Sequence, residues 1–150
     1  MWVTFQVENI GVMRKEGMHL LERHYQEIAA FKEVQELDPD WDLYDECEKS
    51  GKLWVMTARA DGVLVGYIWM LLVGDMHYKG LRRAVEDVHY LAPEYRKGLT
   101  GYKMLVETKR AMQEKGVDMI VFRTKVASDH GLLLERLGGV FADKLYTIVL

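Results

Sequence analysis

The stretch "YLAPEYRKGLTGYKML", Tyr90 to Leu105, runs from an apolar segment through a basic, glycine-bearing bend into a helical pattern. Pro93 ends strand pairing there, because it has no N–H to donate. Gly98 and Gly101 permit backbone turns closed to other residues and leave room for a ligand to approach. Thr100 is a good N-cap for the helix that follows. Backbone N–H groups in a turn entering a helix N-terminus form an anion site, helped by the helix dipole. Arg96 and Lys97 add positive charge. This is suitable equipment for a pyrophosphate, but a plain strand-to-helix loop with solvated basic residues has the same letters. Position decides more than the glycine count does.

The position follows from the neighbouring patterns. "AVEDVHYLA" reads as a strand leading into the bend, after a polar loop from Asp75 to Arg83. Helical spacing resumes from Gly101 to Lys115, with Met104, Leu105, Thr108, Ala111 and Met112 on one side, and Gly116 supplies a stop. "VDMIVFRT" is then a short strand, Asp129 to Leu137 a helix, and "YTIVL" a last strand. Upstream, "LWVMTA" and "VLVGYIWMLLV" flank Asp61-Gly62, a strong hairpin signal. "WVTFQVE" alternates with the period of a half-buried strand. Helical spacing runs from Glu16 to Val34 through Leu20, Leu21, His24, Tyr25, Ile28 and Phe31. After Pro39, the residues Trp41, Tyr44 and Cys47 suggest a short second helix ending near Ser50-Gly51. The predicted order is β-α-α-β-β-β-α-β-α-β, a mixed α/β sheet with helices on its faces. The bend thus links two strands that should lie parallel, through a crossover helix.

Bulk properties narrow the function. A chain of 150 residues with no repeat or long linker is expected to be one domain, 1–150, with a real core. A net charge of −3 argues against a protein dominated by nucleic-acid binding. The single cysteine, Cys47 in "YDECEK", allows no intrachain disulfide, and its acidic setting disfavours a thiolate. The longest apolar run, Val63 to Val73, contains Gly66 and falls short of the roughly 20 residues of a membrane helix. The start, "MWVTFQVENIG", lacks a secretory pattern. A cytoplasmic protein with no membrane partner is expected.

Four segments, "ADGVLVGYIWM", "YLAPEYRKGLTGYKML", "KGVDMIVFRT" and "LLERLGGVF", together resemble the GNAT superfamily of acyl-CoA N-acyltransferases in order and spacing. The resemblance spans nearly the whole chain, and the wording is similar to small GNAT-like proteins of tailed bacteriophages. It implies central strands splayed around an acyl-CoA site. It also implies acetyl-CoA as co-substrate, an amine acceptor (small molecule or protein lysine or N-terminus) and direct attack in a ternary complex, with no metal. In the family the loop reads Arg/Gln-x-x-Gly-x-Gly/Ala, and its N–H groups hold the coenzyme A pyrophosphate. Arg96 and Gly101 match the ends of that pattern. Leu99 stands where the middle glycine is usual, and Gly98 comes one place early. The implied cofactor-binding residues are Tyr90, Leu91 and Ala92 along the thioester and pantetheine, and Arg96, Lys97, Gly98, Leu99, Thr100 and Gly101 around the phosphates.

Transfer to an amine needs a base, a donor for the carbonyl oxygen and often an acid for the thiolate. In "EDVHY", strict alternation puts Asp87 and His89 on one face and Glu86 on the other, unless a bulge shifts the register. His89 suits a base near neutral pH; Glu86 or Asp87 would serve if burial raised its pKa. The family's acid is commonly a tyrosine in the last helix, where this chain has Leu134. His130 and Tyr146 are the candidate stand-ins, and a thiolate can also take its proton from water. His19 and His24 lack the i, i+4 spacing of a metal pair. Trp41 and Tyr44 can line an acceptor site or simply pack a short helix. A homodimer joined through the final strand and apolar residues such as Trp69 is compatible with the sequence. Leu99 and Leu134 also leave open a second reading, a catalytically weak or inactive module of this fold that binds another protein.

Overall fold

The computed structural model describes residues 2–150. One mixed sheet contains β1 (Val3–Val7), β2 (Leu53–Ala60), β3 (Val63–Gly74), β4 (Arg82–Leu91) and β5 (Met119–Val121), in that spatial order. The first three pairings are antiparallel and the last, β4 with β5, is parallel. Asp61 and Gly62 both take positive φ, 48° and 82°. That is the turn geometry that matches the twist of a two-residue hairpin.

Among the described residues, five helices cover the sheet: α1 (Ile10–Glu16), α2 (Met18–Ile28), α3 (Trp41–Lys49), α4 (Thr100–Glu114) and α5 (Gly131–Arg136). On one face, Met104, Leu105 and Met112 of α4 pack on Met56, Ala58, Ile68, Met70 and Ala84. On the other, Ile10, Met13, Leu20 and Leu21 of α1 and α2 meet Val55, Tyr67, Trp69 and Tyr90, with Trp41, Tyr44 and Cys47 of α3 at the margin. Strand β3 is buried on both faces, so it reads as a continuous apolar run rather than an alternation. Removing a side chain of this size from water contributes about 1.5–3 kcal/mol. No helix among the described residues is long and apolar enough to cross a membrane.

Three expectations are corrected. The single early helix, Glu16 to Val34, is two shorter helices that start at Ile10 and end at Ile28. They part at Gly17, where a Cβ would lie 2.8 Å from the Met13 carbonyl oxygen. The last strand, Tyr146 to Leu150, does not form. Residues 138–150 hold no regular element, with Tyr146 and Ile148 more than 80% exposed. A strand needs an edge to pair with, and β5 is only three residues long. Trp69 is 1% exposed beneath Trp41 and Tyr44, so it offers no surface to a second copy.

Candidate active site

The site is built where β4 and β5 part. Their parallel pairing covers only Arg83–Val85 against Met119–Val121; beyond Val85, β4 runs on alone to Leu91. On its other edge β4 carries a bulge. Adjacent residues Trp69 and Met70 pair with Val88 and Glu86, leaving Asp87 without a partner. Paired residues point to the same face, so Glu86 (with Met70) and His89 (with Ile68) both project toward the α4 side. Asp87 goes to the other side, where its carboxylate accepts a 2.5 Å hydrogen bond from the Tyr44 hydroxyl. The face shared by Asp87 and His89 under strict alternation is therefore replaced by one shared by Glu86 and His89.

Past the parting, Arg123 stitches the gap. Its Nε and Nη2 donate to the Glu86 carbonyl oxygen at 3.1 and 2.7 Å, and Nη2 also donates to that of Asp87 at 3.1 Å. Nearer the loop, the Ala92 N–H donates to Val65 of β3. Antiparallel alternation then turns the N–H groups of His89 and Leu91 away from β3, into the wedge that β5 has vacated.

Glu86, 5% exposed, has a buried Oε2 with no hydrogen-bond partner. Burial pushes its carboxyl up to about 8; Arg123's charge opposes the rise and Asp87's adds to it. His89 lies beside it, Nδ1 3.7 Å from Glu86 Oε2, and burial brings its imidazole down to about 3, with His130 contributing. His130, at the N-cap of α5, crosses His89 edge to face with ring centroids 5.3 Å apart. Its Nδ1 lies 3.2 Å from the Thr124 hydroxyl, while its Nε2 is buried and unpartnered. One donor atom from each of Glu86, His89 and His130 lies within 4.8 Å of the others. A cavity of about 380 Å³ lined by Asp129, His130, Gly131, Leu132, Leu133 and Arg136 opens beside them. Tyr146 stands on the exposed tail, with no hydrogen bond or ring contact to this group among the described residues.

The basic bend is a 3-10 turn, Pro93–Tyr95, followed by a tight turn into α4. Gly98 has φ +66°, a left-handed conformation that favours glycine. Leu99 has φ −101° and is 62% exposed, so a side chain there is free of strain. Leu99, not Thr100, is the N-cap residue, and no side chain caps the helix. The first-turn N–H groups of α4 therefore keep their anion-binding capacity. Around Gly101 there is open space. Arg96 is already engaged. Its Nη1 and Nη2 hold Glu27 at 2.6 and 2.9 Å, its Nε donates to the Leu91 carbonyl at 2.7 Å, and the guanidinium lies over Tyr90. It braces the loop against α2. Lys97 is exposed.

Sequence reasoning missed Arg123, Glu27 and the pairing of Tyr44 with Asp87, because each joins elements whose packing no periodicity reveals. Trp41 lines a separate cavity of about 460 Å³ with Arg14, Asp38, Pro39, Asp40 and Asp42.

No protein-family model matches the sequence, and no curated protein matches it. Solved structures do resemble the fold. A ribosomal-protein-alanine N-acetyltransferase from Brucella melitensis biovar Abortus 2308 has a TM-score of 0.74 at 18% identity, with 100% of each chain covered. A predicted acetyltransferase from Clostridium acetobutylicum, solved with acetyl-CoA, has a TM-score of 0.71 at 12% identity, covering 99% of this chain and 96% of that one. Glucosamine-6-phosphate N-acetyltransferase from Arabidopsis thaliana has a TM-score of 0.74 at 10% identity, with 99% of each covered. The fold is the one those acetyltransferases have, the GNAT fold.

Proposed function

We propose that this protein is an N-acetyltransferase that moves an acetyl group from acetyl-CoA to a primary amine, on a small molecule or on a protein lysine or N-terminus. The observation that carries this reading is the wedge between β4 and β5, opening beside an uncapped helix N-terminus. A thioester laid along β4 would accept hydrogen bonds from the freed N–H groups of His89 and Leu91, in the segment running on to Tyr90 and Ala92. The pyrophosphate would sit over Gly98, Leu99, Thr100 and Gly101, with Lys97 at its rim. The fold's likeness to a structure solved with acetyl-CoA supports the same placement.

In this mechanism the amine's lone pair attacks the thioester carbonyl carbon, and the oxygen takes up negative charge against the strand's N–H groups. The ionised form of Glu86, with no hydrogen-bond partner on Oε2, collects the ammonium proton. Collapse of the adduct breaks the C–S bond, and the thiolate takes a proton from His130 or from water. Leu134 cannot donate one. The chain would act as one domain in the cytoplasm.

Calorimetric titration with acetyl-CoA tests the reading. Saturable binding is expected, weakened at least tenfold by Gly101→Glu, which places a carboxylate in open space at the phosphate position. Absence of binding at millimolar acetyl-CoA overturns it. The exposed apolar tail supports a second reading, a protein-binding module without turnover. Steady thiol release across an amine and peptide panel would exclude that one.

A further inference from the structure

We propose that Glu86, His89 and His130 form a binding site for a divalent transition-metal cation, with Zn²⁺ as the best match. Two imidazole nitrogens and one carboxylate oxygen, with a position left open, is a donor set that suits zinc. The three donor atoms already converge within 4.8 Å. Metal–ligand bonds of about 2.0–2.1 Å on tetrahedral geometry put donor atoms about 3.4 Å apart. The Glu86 Oε2 to His89 Nδ1 separation of 3.7 Å is close to that already. His130 sits at a loop-to-helix junction, so closing the remaining ångström or so asks little of the sheet.

Two further observations point to a ligand. Glu86 Oε2 and His130 Nε2 are both buried and both lack a hydrogen-bond partner. Buried polar atoms are almost always satisfied, and a cation between these two would satisfy both. His130 is also oriented as metal-ligating imidazoles are: its Nδ1 faces the Thr124 hydroxyl at 3.2 Å and the Ser128 carbonyl at 3.5 Å. A proton on Nδ1 finds those acceptors and leaves the Nε2 lone pair free. Thr124 is itself held, accepting from the His130 N–H at 2.9 Å. Arg123, a neighbouring cation, is engaged on the backbone carbonyls of Glu86 and Asp87. The cavity beside His130 gives a route in.

The consequence for catalysis rests on the acetyl-transfer reading. A cation that takes the Glu86 carboxylate removes the base, so bound metal and acetyl transfer exclude one another. The binding itself is independent of that reading and is read separately. After chelator treatment, the intact protein is titrated with Co²⁺, followed by its visible ligand-field absorption, and the Co²⁺ is then displaced with Zn²⁺. One equivalent is expected. Thr124→Ala should weaken it about tenfold, and Glu86→Gln and His130→Ala should weaken it further. His19→Ala, on an exposed position of α2, should leave it unchanged. No saturable Co²⁺ spectrum, or one indifferent to both Glu86→Gln and His130→Ala, overturns the site. If thiol release is measurable, stoichiometric Zn²⁺ should abolish it and chelator restore it. Undiminished release by the metal-loaded protein overturns the exclusion.

Discussion

The exchange of a glycine for Leu99 in the basic bend has a conformational explanation. The left-handed residue of this turn is Gly98, and Leu99 sits at an ordinary φ. Gly98→Ala is therefore expected to destabilise the fold by about 1 kcal/mol or more, read from the denaturant midpoint at constant m. Leu99→Gly should leave acetyl-CoA affinity unchanged within twofold, because that side chain projects to solvent. Glu86→Gln keeps the shape of the buried group while removing its basicity. The expected result is a fall in kcat by about 10²–10⁴, with acetyl-CoA affinity retained in calorimetry. An equal loss of affinity would give Glu86 a binding role instead.

Elements join these residues to the core, and here the sequence was informative in some places and silent in others. The hairpin at Asp61-Gly62, the α4 stripe and the strand–bend–helix order were legible, because each depends on local turn chemistry or on one period. The break at Gly17 was not, since it depends on the contact of that backbone with Met13. The bulge was legible as an option only, and its place at Asp87 appears only in the pairing of Trp69 and Met70 with Val88 and Glu86. Arg123 reached the site through tertiary geometry alone. Helix α2 contributes a pH effect. His24 is buried with its Nδ1 2.8 Å from the Tyr67 hydroxyl. Burial lowers its imidazole from 6.5 to about 4, against the pull of Glu27. Between those values the unfolded chain binds a proton that the folded one refuses, so stability falls as pH drops from about 6.5 to about 4. The loss reaches at most about 3 kcal/mol. Because Glu86 and His89 also titrate in this range on folding, the His24 contribution is read as the difference in slope between the wild type and His24→Leu in denaturant melts at several pH values.

At the scale of the molecule, the unpaired tail is the feature most at odds with an isolated chain. Val140, Phe141, Leu145, Tyr146, Ile148 and Leu150 are each at least 74% exposed. Exposed apolar residues of this kind are candidates for contact with another chain, and whether a second copy supplies it is a matter of oligomeric state. If a second copy covers them, light scattering will report concentration-dependent association that is lost when residues 140–150 are deleted. The bulge bears on the whole molecule in another way. One supernumerary residue brings Glu86 and His89, three apart in sequence, into the same α4 layer, while Asp87 turns to Tyr44. The layering of β4 is thus a specification in its own right, carried by its pairing with β3 and not by residue identity. Asp87→Asn keeps the pairing and should preserve Co²⁺ binding. Excising Asp87 removes the bulge but leaves Glu86 and His89 two positions apart on a regular strand, still on one face, so Co²⁺ binding should survive that deletion too.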